Sequence, residues 1–310
     1  MRIIITDHLH PHLAEQLTAA GFSVDVFPEI TNVEVSDVIE NYDGLVLSTK
    51  ILVTQTLIDK ASRLKFIARA GSGMENIDVK YAQLKNIQVL NSPEGNANAV
   101  AEHALGMLLS LLNNISAAHY EIKNDIWQRE KNRGVELDGK TIGIIGYGNT
   151  GSAFAKKLAG FHVKILAHDK YKTGFGNERV TESYLEKIKL EADIISLHIP
   201  HTTETHHYIN ETFITECKKE FYLLNTSRGR NVRTKDLLEA LQNGKIKGAA
   251  LDVFENEKFY ELPPEDKEML KKLAAMNNVI LTPHIAGWTH ESFFKISDIL
   301  LQRILALYLV

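Results

Sequence analysis

A glycine-rich turn at Gly146, Gly148 and Gly151 limits the possible folds of this chain more than any other feature. It directly follows the apolar run TIGII and precedes a stretch with helical spacing. In such a strand–turn–helix unit the first glycine allows a tight turn, the second lets the backbone approach a pyrophosphate, and the third lets the helix lie close to the strand. The start of the helix also offers free N–H groups. The sequence therefore predicts that a dinucleotide phosphate binds at this turn.

An acidic residue follows at the position that such a unit uses for the ribose. Asp169 ends the next predicted strand, 18 residues after Gly151. A carboxylate there binds the ribose hydroxyls and repels a 2′-phosphate, so the sequence favours NAD over NADP. The neighbouring Lys170 leaves NADP open as the alternative.

Predicted strands and helices alternate on both sides of the turn. The runs before it that are typical of strands are RIIIT, SVDVF, GLVLS, KFIARA and IQVLN, and those from the turn onwards are TIGIIG, VKILAHD, DIISLHI, FYLLNTS, IKGAALDV and NVILTPH. Helical spacing predicts one long helix near residues 99–123 and further helices over 151–159, 234–242, 265–276 and 291–310. The pattern predicts an α/β protein with two doubly wound parallel sheets, and 310 residues suffice for two domains.

Composition narrows the functional class. The net charge of −4, from 35 basic and 39 acidic residues, argues against a nucleic-acid surface. The longest apolar region, AVAEHALGMLLSLL, is interrupted by Glu102 and His103, so we expect no membrane span. The N-terminal apolar run is too short for a signal peptide, and Cys217 is the single cysteine, so no intramolecular disulfide is possible. We expect a soluble cytoplasmic protein.

Three polar motifs fall at or just after predicted strand ends, where doubly wound sheets bind their ligands. They are NTSRGR (225–230), LDVFENE (251–257) and TPHIAGW (282–288). A histidine titrates near neutrality and can exchange a proton with a hydroxyl group, while a carboxylate on its other ring nitrogen stabilises the imidazolium. An arginine can bind a carboxylate bidentately. Each motif alone is typical of a surface loop, but together they predict an active site that transfers hydride between an alcohol and the dinucleotide.

These motifs, with ARAGSGMENID, NSPEGNANAVAEHALGMLL and LHIPHTTETHHYIN, resemble the D-isomer-specific 2-hydroxyacid dehydrogenase family in order and spacing. The resemblance covers nearly the whole chain. It implies a Rossmann NAD-binding domain, residues 99–288, inserted into a flavodoxin-like substrate-binding (catalytic) domain of residues 1–98 and 289–310. The active site would be the cleft between them, and the segment NNISAAHYEIKNDIW would form a homodimer.

The resemblance also implies the roles of single residues. Arg228 would bind the substrate, His284 would be the acid/base and Glu257 its carboxylate partner. The implied cofactor contacts are Gly146, Gly148, Asn149, Thr150, Gly151, Asp169, Ile199, Thr226, Ser227, Arg228, Asp252 (which would hold the nicotinamide carboxamide), His284 and Gly287. The implied substrate contacts are Lys50, Arg69, Arg228 and the backbone amides of Gly71, Ser72 and Gly73.

No metal site is expected. The histidines at positions 8, 10 and 12 could be taken for a metal cluster, but Pro11 interrupts them. No carboxylate-rich motif accompanies them, so we expect exposed loop histidines.

The substrate is less constrained than the reaction. ARAGSGMENID and WQREKNRGVELDGKTIGIIG are similar to the branch of the family that oxidises 3-phosphoglycerate to 3-phosphohydroxypyruvate in serine biosynthesis. However, Ser48 stands where that branch commonly has a phosphate-binding arginine, and Lys258 replaces the proline after the glutamate. Glyoxylate/hydroxypyruvate reductases and D-lactate-type dehydrogenases share the same three catalytic residues. From another class, NAD(H)-sensing corepressors keep them too. Because the chain ends at the core fold, we expect no serine-feedback domain.

Overall fold

The computed structural model describes residues 1–308, and the chain divides into two compact units. Unit 1 comprises Met1–Ala97 and Trp288–Val310, and unit 2 comprises Asn98–Gly287. The last two residues of unit 1, which the predicted C-terminal helix includes, lie outside the described residues. No helix in residues 1–308 is long and apolar enough to cross a membrane.

The sheet of unit 1 has five parallel strands in the order β2-β1-β3-β4-β5. The strands are β1 (Arg2–Ile5), β2 (Ser23–Val26), β3 (Gly44–Leu47), β4 (Phe66–Arg69) and β5 (Gln88–Asn91). This is the flavodoxin-like strand order, as predicted.

The sheet of unit 2 has seven parallel strands in the order β12-β11-β10-β9-β6-β7-β8. The strands are β6 (Thr141–Ile145), β7 (Lys164–His168), β8 (Val180–Glu182), β9 (Ile194–Leu197), β10 (Phe221–Asn225), β11 (Ile246–Leu251) and β12 (Val279–Leu281). Counted from β6, the order is the doubly wound Rossmann order with a seventh strand added at one edge. The predicted fold class is therefore confirmed.

Helices connect the strands and cover both sheets, as parallel pairing requires. The α-helices of the described residues are α1 (Pro11–Ala19), α2 (Asn32–Val38), α3 (Gln55–Lys60), α4 (Val79–Leu84), α5 (Ala97–Leu112), α6 (Ile115–Lys123), α7 (Asn149–Lys157), α8 (Leu185–Glu191), α9 (Glu211–Glu216), α10 (Thr234–Gln242), α11 (Pro264–Ala274) and α12 (His290–Ala306).

Strand alternation distributes the core of unit 1 over two faces. Ile3 and Ile5 of β1 belong to a cluster that includes Leu13 of α1 and Ile304 of α12. Ile4, which points the opposite way because successive side chains of a strand alternate, packs with the α2–α4 side. The C-terminal helix is thus part of the core of unit 1, and burying each such side chain contributes about 1.5–3 kcal/mol.

Two local predictions need correction. The single helix predicted near residues 99–123 is two helices, α5 and α6. Asn114 interrupts the helix between them because its φ is positive, at 53°. Strand β8 was not predicted, since three residues are too few to show a twofold alternation.

The histidines near the N-terminus are also not all in an exposed loop. His10 is the N-cap of α1, where its Nδ1 accepts a hydrogen bond from the amide of His12 at 3.2 Å. His12 Nε2 lies 3.2 Å from Asp298 Oδ1, and only His8 is exposed. Within residues 1–308, no group of three or more His, Cys, Asp or Glu is placed to hold a metal ion.

Candidate active site

The glycine-rich turn connects β6 to α7 and is shaped by close backbone contacts. Gly146 has a φ of +92°, and a Cβ there would lie 2.4 Å from the carbonyl oxygen of His198. A Cβ on Gly151 would lie 2.0 Å from the carbonyl oxygen of Gly146. A Cβ on Gly148, in contrast, would meet no atom within 4 Å, and no side chain caps α7 at this residue. The turn is therefore packed at its first and third glycines and open at the second, which fits a pyrophosphate at the helix N-terminus.

Asp169 lies directly after β7 and is held beside this turn. Its Oδ2 accepts a hydrogen bond from the Tyr147 amide at 2.8 Å, and its Oδ1 accepts from the amides of Tyr171 and Lys172 at 2.9 and 3.0 Å. Burial raises the pKa of Asp169, but these backbone hydrogen bonds outweigh it and leave the pKa below its usual value. Lys170 is bound to Glu204, so its ammonium group is engaged away from Asp169. A fixed negative charge at this position fits ribose hydroxyls better than a 2′-phosphate.

The other predicted cofactor residues surround the same edge of the sheet. Asn149 and Thr150 begin α7, and a side-chain methyl of Ile199 would lie 2.9 Å from a Cβ on Gly146. Thr226 follows β10, and its buried hydroxyl has no hydrogen-bond partner among the described residues. A buried hydroxyl without a partner is costly unless a ligand satisfies it, so Thr226 fits a cofactor contact.

The loop after β10 is organised by two buried asparagines. Asn225 Oδ1 accepts hydrogen bonds from the amide and hydroxyl of Ser227, and Asn225 Nδ2 donates to the carbonyl oxygen of Arg228 at 3.0 Å. Asn231 Nδ2 donates to the Ile199 carbonyl and to Ser227 Oγ. Both asparagines are completely buried. They fix the backbone on each side of Arg228, a role that the sequence analysis missed, although an Asn at a strand end often forms such a turn.

His284 and Glu257 form the central pair of the site. His284 Nδ1 lies 2.8 Å from Glu257 Oε2. The hydrogen bond that His284 Nδ1 donates to the Glu257 carboxylate is the largest influence on the pKa of His284 and raises it above its usual value. Burial and the charge of Arg228 oppose this increase, while the charges of Glu257 and Asp252 add to it. Since Nδ1 is engaged, Nε2 is the ring nitrogen left for a substrate.

The backbone of His284 is in an unusual conformation. Its φ is 55°, in the left-handed region that residues other than glycine seldom adopt. The His284 amide donates to the carbonyl oxygens of Asp252, at 2.7 Å, and of Thr282, at 3.0 Å. Such local strain is typical of functional sites, where the surrounding contacts stabilise it.

Asp252 supplies these surrounding contacts. Its carboxylate is fully buried and accepts hydrogen bonds from Thr282 Oγ1 at 2.5 Å and from the amides of Ile285 and Ala286 at 2.9 and 2.8 Å. His103, on α5, lies 3.0 Å from Thr282 Oγ1 and joins this network. The structure thus gives Asp252 a scaffold role for the loop of His284, whereas its predicted contact with the nicotinamide carboxamide stays a prediction. Gly287 follows the same loop.

The predicted substrate loop of unit 1 follows β4. Gly71 has a φ of +132°, and a Cβ there would lie 1.7 Å from Nη1 of Arg69, so the guanidinium group lies directly over the loop. The Gly71 amide donates to Ser92 Oγ at 3.0 Å, which differs from its predicted role as a free donor to a carboxylate. The amides of Ser72 and Gly73 donate to no acceptor within residues 1–308.

The predicted phosphate contact Lys50 is engaged elsewhere. Its ammonium group donates to the carbonyl oxygen of Pro28. The amide of Ser48 donates to Asp7 Oδ2 at 2.9 Å, which fixes the loop after β3. In this structure Arg69 is therefore the cation placed directly over the loop of Gly71.

The chain is similar to a known family and to several known proteins. Residues 105–286 match the family model described as "D-isomer specific 2-hydroxyacid dehydrogenase, NAD binding domain". A hydroxypyruvate reductase of Thermotoga maritima is 39% identical over 273 residues, which are 87% of this chain and 86% of that protein. A D-3-phosphoglycerate dehydrogenase of Methanocaldococcus jannaschii is 37% identical over 309 residues. These are 98% of this chain but 57% of that protein, so the chain spans little more than half the length of this relative.

Solved structures show the same two-sheet fold. A D-lactate dehydrogenase of Aquifex aeolicus, solved in complex with NAD and lactic acid, superposes with a TM-score of 0.85 at 30% identity, covering 99% of this chain and 95% of that one. The similarity extends over both sheets, since it covers nearly the whole chain.

Proposed function

Because the chain belongs to the D-isomer-specific 2-hydroxyacid dehydrogenase family, we propose that it interconverts a D-2-hydroxyacid and its 2-keto acid, with His284 and Glu257 as the acid/base pair. The single observation that carries this proposal is the 2.8 Å contact between His284 Nδ1 and Glu257 Oε2. It leaves Nε2 to exchange a proton with the substrate oxygen, and it favours the charged imidazolium that forms when the alcohol is oxidised.

The cofactor is NAD. When bound, it supplies the hydride acceptor or donor at its nicotinamide ring. The open second glycine, Gly148, and the free start of α7 would hold its pyrophosphate, and Asp169 would bind its ribose hydroxyls. The unpaired hydroxyl of Thr226 would contact it from the neighbouring strand end.

The remaining residues would orient the substrate. Arg228, whose carbonyl oxygen accepts hydrogen bonds from Asn225 Nδ2 and from the Asn231 amide, would bind the carboxylate and polarise the adjacent carbonyl oxygen. In unit 1, the amides of Ser72 and Gly73 would be available as donors to a carboxylate. Asp252 would keep His284 in place through the loop that it binds.

We propose 3-phosphoglycerate as the substrate, so that the protein catalyses the first step of serine biosynthesis. The supporting observations are the identity with D-3-phosphoglycerate dehydrogenases and the position of the Arg69 guanidinium over the Gly71 loop, where it can bind an anionic group. Hydroxypyruvate or glyoxylate is the main alternative, supported by the T. maritima relative and by Lys50 being bound to Pro28. D-lactate is a further alternative, supported by the A. aeolicus structure.

We further propose that the protein is a cytoplasmic homodimer. The segment after α5 exposes the large apolar side chains Ile115, Tyr120, Ile122, Ile126 and Trp127, of which Trp127 is 79% exposed. A surface of this kind is typical of an interface between proteins. Analytical ultracentrifugation of the wild type and of Trp127→Glu tests this proposal, and a wild-type monomer at micromolar concentration would contradict it.

The experiment that tests the activity follows NADH absorbance with a panel of substrates. The panel comprises 3-phosphoglycerate with its product trapped, 3-phosphohydroxypyruvate, hydroxypyruvate, glyoxylate and pyruvate. His284→Gln should lose at least about 100-fold in kcat, a typical share for a general acid/base. The matched control is His162→Gln, because His162 also has a positive φ, 48°, and a carboxylate partner, Asp138 at 3.4 Å.

The outcomes separate the candidates. Turnover that requires the phosphorylated substrate supports phosphoglycerate dehydrogenase, whereas faster reduction of hydroxypyruvate or pyruvate supports the alternative enzymes. Absence of turnover with every substrate, while NADH still binds, would contradict an enzymatic role and support an NAD(H)-sensing binding protein.

A further inference from the structure

A cavity lies in unit 2, apart from the glycine-rich turn. It has a volume of about 650 Å³, within the range of small-molecule sites, and is bounded by α10, α11 and the segments that follow β10 and β11. It includes none of the predicted cofactor or substrate residues. Nothing in the proposed dehydrogenase function uses it.

The walls of this cavity combine an apolar floor with a basic rim. The floor consists of Leu251, Val253, Leu262, Met269, Leu270 and Leu273. Leu262, Met269 and Leu270 are only half-buried, so apolar surface stays accessible inside the cavity. Burying such surface under a ligand is favourable.

The rim is cationic. Four basic side chains, Arg230, Arg233, Lys235 and Lys258, line it against two acids, Glu255 and Asp266. Both oxygens of Glu255 are engaged, one by His207 Nε2 and the other by the amide of Thr234, each at 2.6 Å.

Arg230 is the cation best placed to receive a ligand. Arg233, Lys235 and Lys258 each lie within 4.0 Å of a carboxylate of their own. Arg230 forms no ion pair with any of the described residues, and its Nε donates only to the carbonyl oxygen of Glu255, at 3.4 Å. A guanidinium group at the edge of an apolar cavity is suited to bind a carboxylate.

The cavity is mechanically connected to the catalytic loops. Gly229 and Arg230 directly follow Arg228, and Glu255 precedes Glu257 by two residues. The two loops touch through their backbones, since a Cβ on Gly229 would lie 1.8 Å from the carbonyl oxygen of Phe254. The His207 amide also donates to the Arg230 carbonyl at 2.8 Å. A ligand in the cavity therefore contacts the reverse side of both loops.

From these contacts we infer that the cavity is a binding site for a small amphipathic carboxylate, whose occupancy orders the loops that bear Arg228 and Glu257. The carboxylate binds Arg230, and the apolar tail lies on Met269 and Leu270. Ordering the loop of Glu257 keeps the partner of His284 in place. Binding itself is independent of the proposed function, whereas its effect on turnover rests on that function.

Direct binding is tested by calorimetry with octanoate as the probe. The expected Kd is on the order of 0.1–1 mM, from typical ligand efficiencies. Hexanoate should bind roughly tenfold more weakly than octanoate, since each buried methylene contributes up to about fourfold. Octylammonium, which has the same tail and the opposite charge, should not bind. Equal binding of octylammonium, or no binding of octanoate, would overturn the inference.

Three variants locate the site. Leu270→Trp fills the floor and should abolish octanoate binding, and Arg230→Gln should weaken it by about tenfold through loss of the charged hydrogen bond. Lys271→Gln is the matched control, because Lys271 is on the same helix but does not line the cavity. Circular dichroism verifies that each variant is folded. Wild-type affinity in folded Leu270→Trp would place the ligand elsewhere and contradict the inference.

The ordering of the loops by octanoate is tested by hydrogen exchange and by steady-state kinetics. Octanoate should slow amide hydrogen exchange in residues 229–234 and 254–262 and should raise kcat/KM at least about twofold, both only where Leu270 is intact. Exchange reports on the loops even if no substrate is turned over, so failure of the proposed function does not obscure this test. Unchanged exchange at saturating octanoate would refute the ordering of the loops.

Discussion

Replacing Glu257 with glutamine tests the central pair of the site most directly. Glu257 Oε2 lies 2.8 Å from His284 Nδ1, and glutamine keeps the size of the side chain while removing its charge. Because the hydrogen bond that the Glu257 carboxylate accepts is the largest influence that raises the pKa of His284, the variant should lower that pKa. The charge of Arg228 would then oppose protonation with less compensation.

The size of the effect follows from the exposure of the pair. A hydrogen bond to a charged group contributes about 1.5–3 kcal/mol when buried. Here the side chains of His284 and Glu257 are 49% and 39% exposed, so solvent screening reduces the contribution. With about 1–2 kcal/mol remaining, kcat/KM should fall five- to thirtyfold, by the usual relation between rate and free energy.

The pH dependence of activity should shift in a defined direction in Glu257→Gln. Oxidation of the hydroxyacid needs neutral His284, so activity rises as pH increases through the pKa of His284. Reduction of the keto acid needs the imidazolium, so activity falls over the same range. Since Glu257→Gln lowers this pKa, the rise of the oxidation rate and the fall of the reduction rate should both move to lower pH. The assay is NADH absorbance across pH in both directions, together with NMR titration of the His284 ring.

The matched control is Asp138→Asn, which alters the partner of His162 and leaves His284 unchanged. Its pH profile should equal that of the wild type. If the pH–rate curves of Glu257→Gln stay in place or move to higher pH, the assignment of His284 and Glu257 as the acid/base pair is refuted.

Three further predictions concern the scaffold of the site. Gly148→Ala should keep the fold but weaken NAD binding at least about tenfold, because its Cβ occupies only the open space of the turn. Gly151→Ala should also lower the thermal midpoint of unfolding, since its Cβ would lie 2.0 Å from a backbone oxygen. NAD titration and melting curves distinguish the two variants. Asp169→Asn should raise KM for NAD and reduce the preference for NAD over NADP. If the ratio of kcat/KM with NADP to kcat/KM with NAD stays unchanged in steady-state kinetics, Asp169 is not the ribose ligand. Asp252→Asn should lower the free energy of unfolding by about 2–4 kcal/mol, because the buried carboxylate accepts three hydrogen bonds, and a loss below about 1 kcal/mol in urea unfolding would contradict its scaffold role.

The overall architecture was predictable because it follows from short-range patterns. Short, mostly apolar runs of three to six residues form most strands of both sheets, and the helix predicted over 234–242 has those bounds in the structure. The glycine turn was equally local, since its geometry depends on three glycines within six residues. The break between α5 and α6 was missed because a left-handed Asn114 leaves helical spacing intact on either side of it.

The partners of the site residues were decided by tertiary structure. His103 contacts Thr282 across 179 positions, and the Gly71 amide is paired with Ser92, which directly follows the neighbouring strand β5. No local pattern reveals such pairs, because they depend on which strand ends lie side by side.

The sequence by itself determined the fold class, the nucleotide turn and the residue types available for proton transfer, since each depends on side-chain periodicity or on a few adjacent residues. Only the tertiary structure decided that Asp252 supports the loop of His284, that Lys50 is bound to Pro28, and that a basic apolar cavity lies behind Arg228 and Glu257. The physical reason is that parallel strands are joined by long crossovers. Residues distant in sequence therefore meet at one edge of the sheet, and the hydrogen bonds between them form only when the sheet forms.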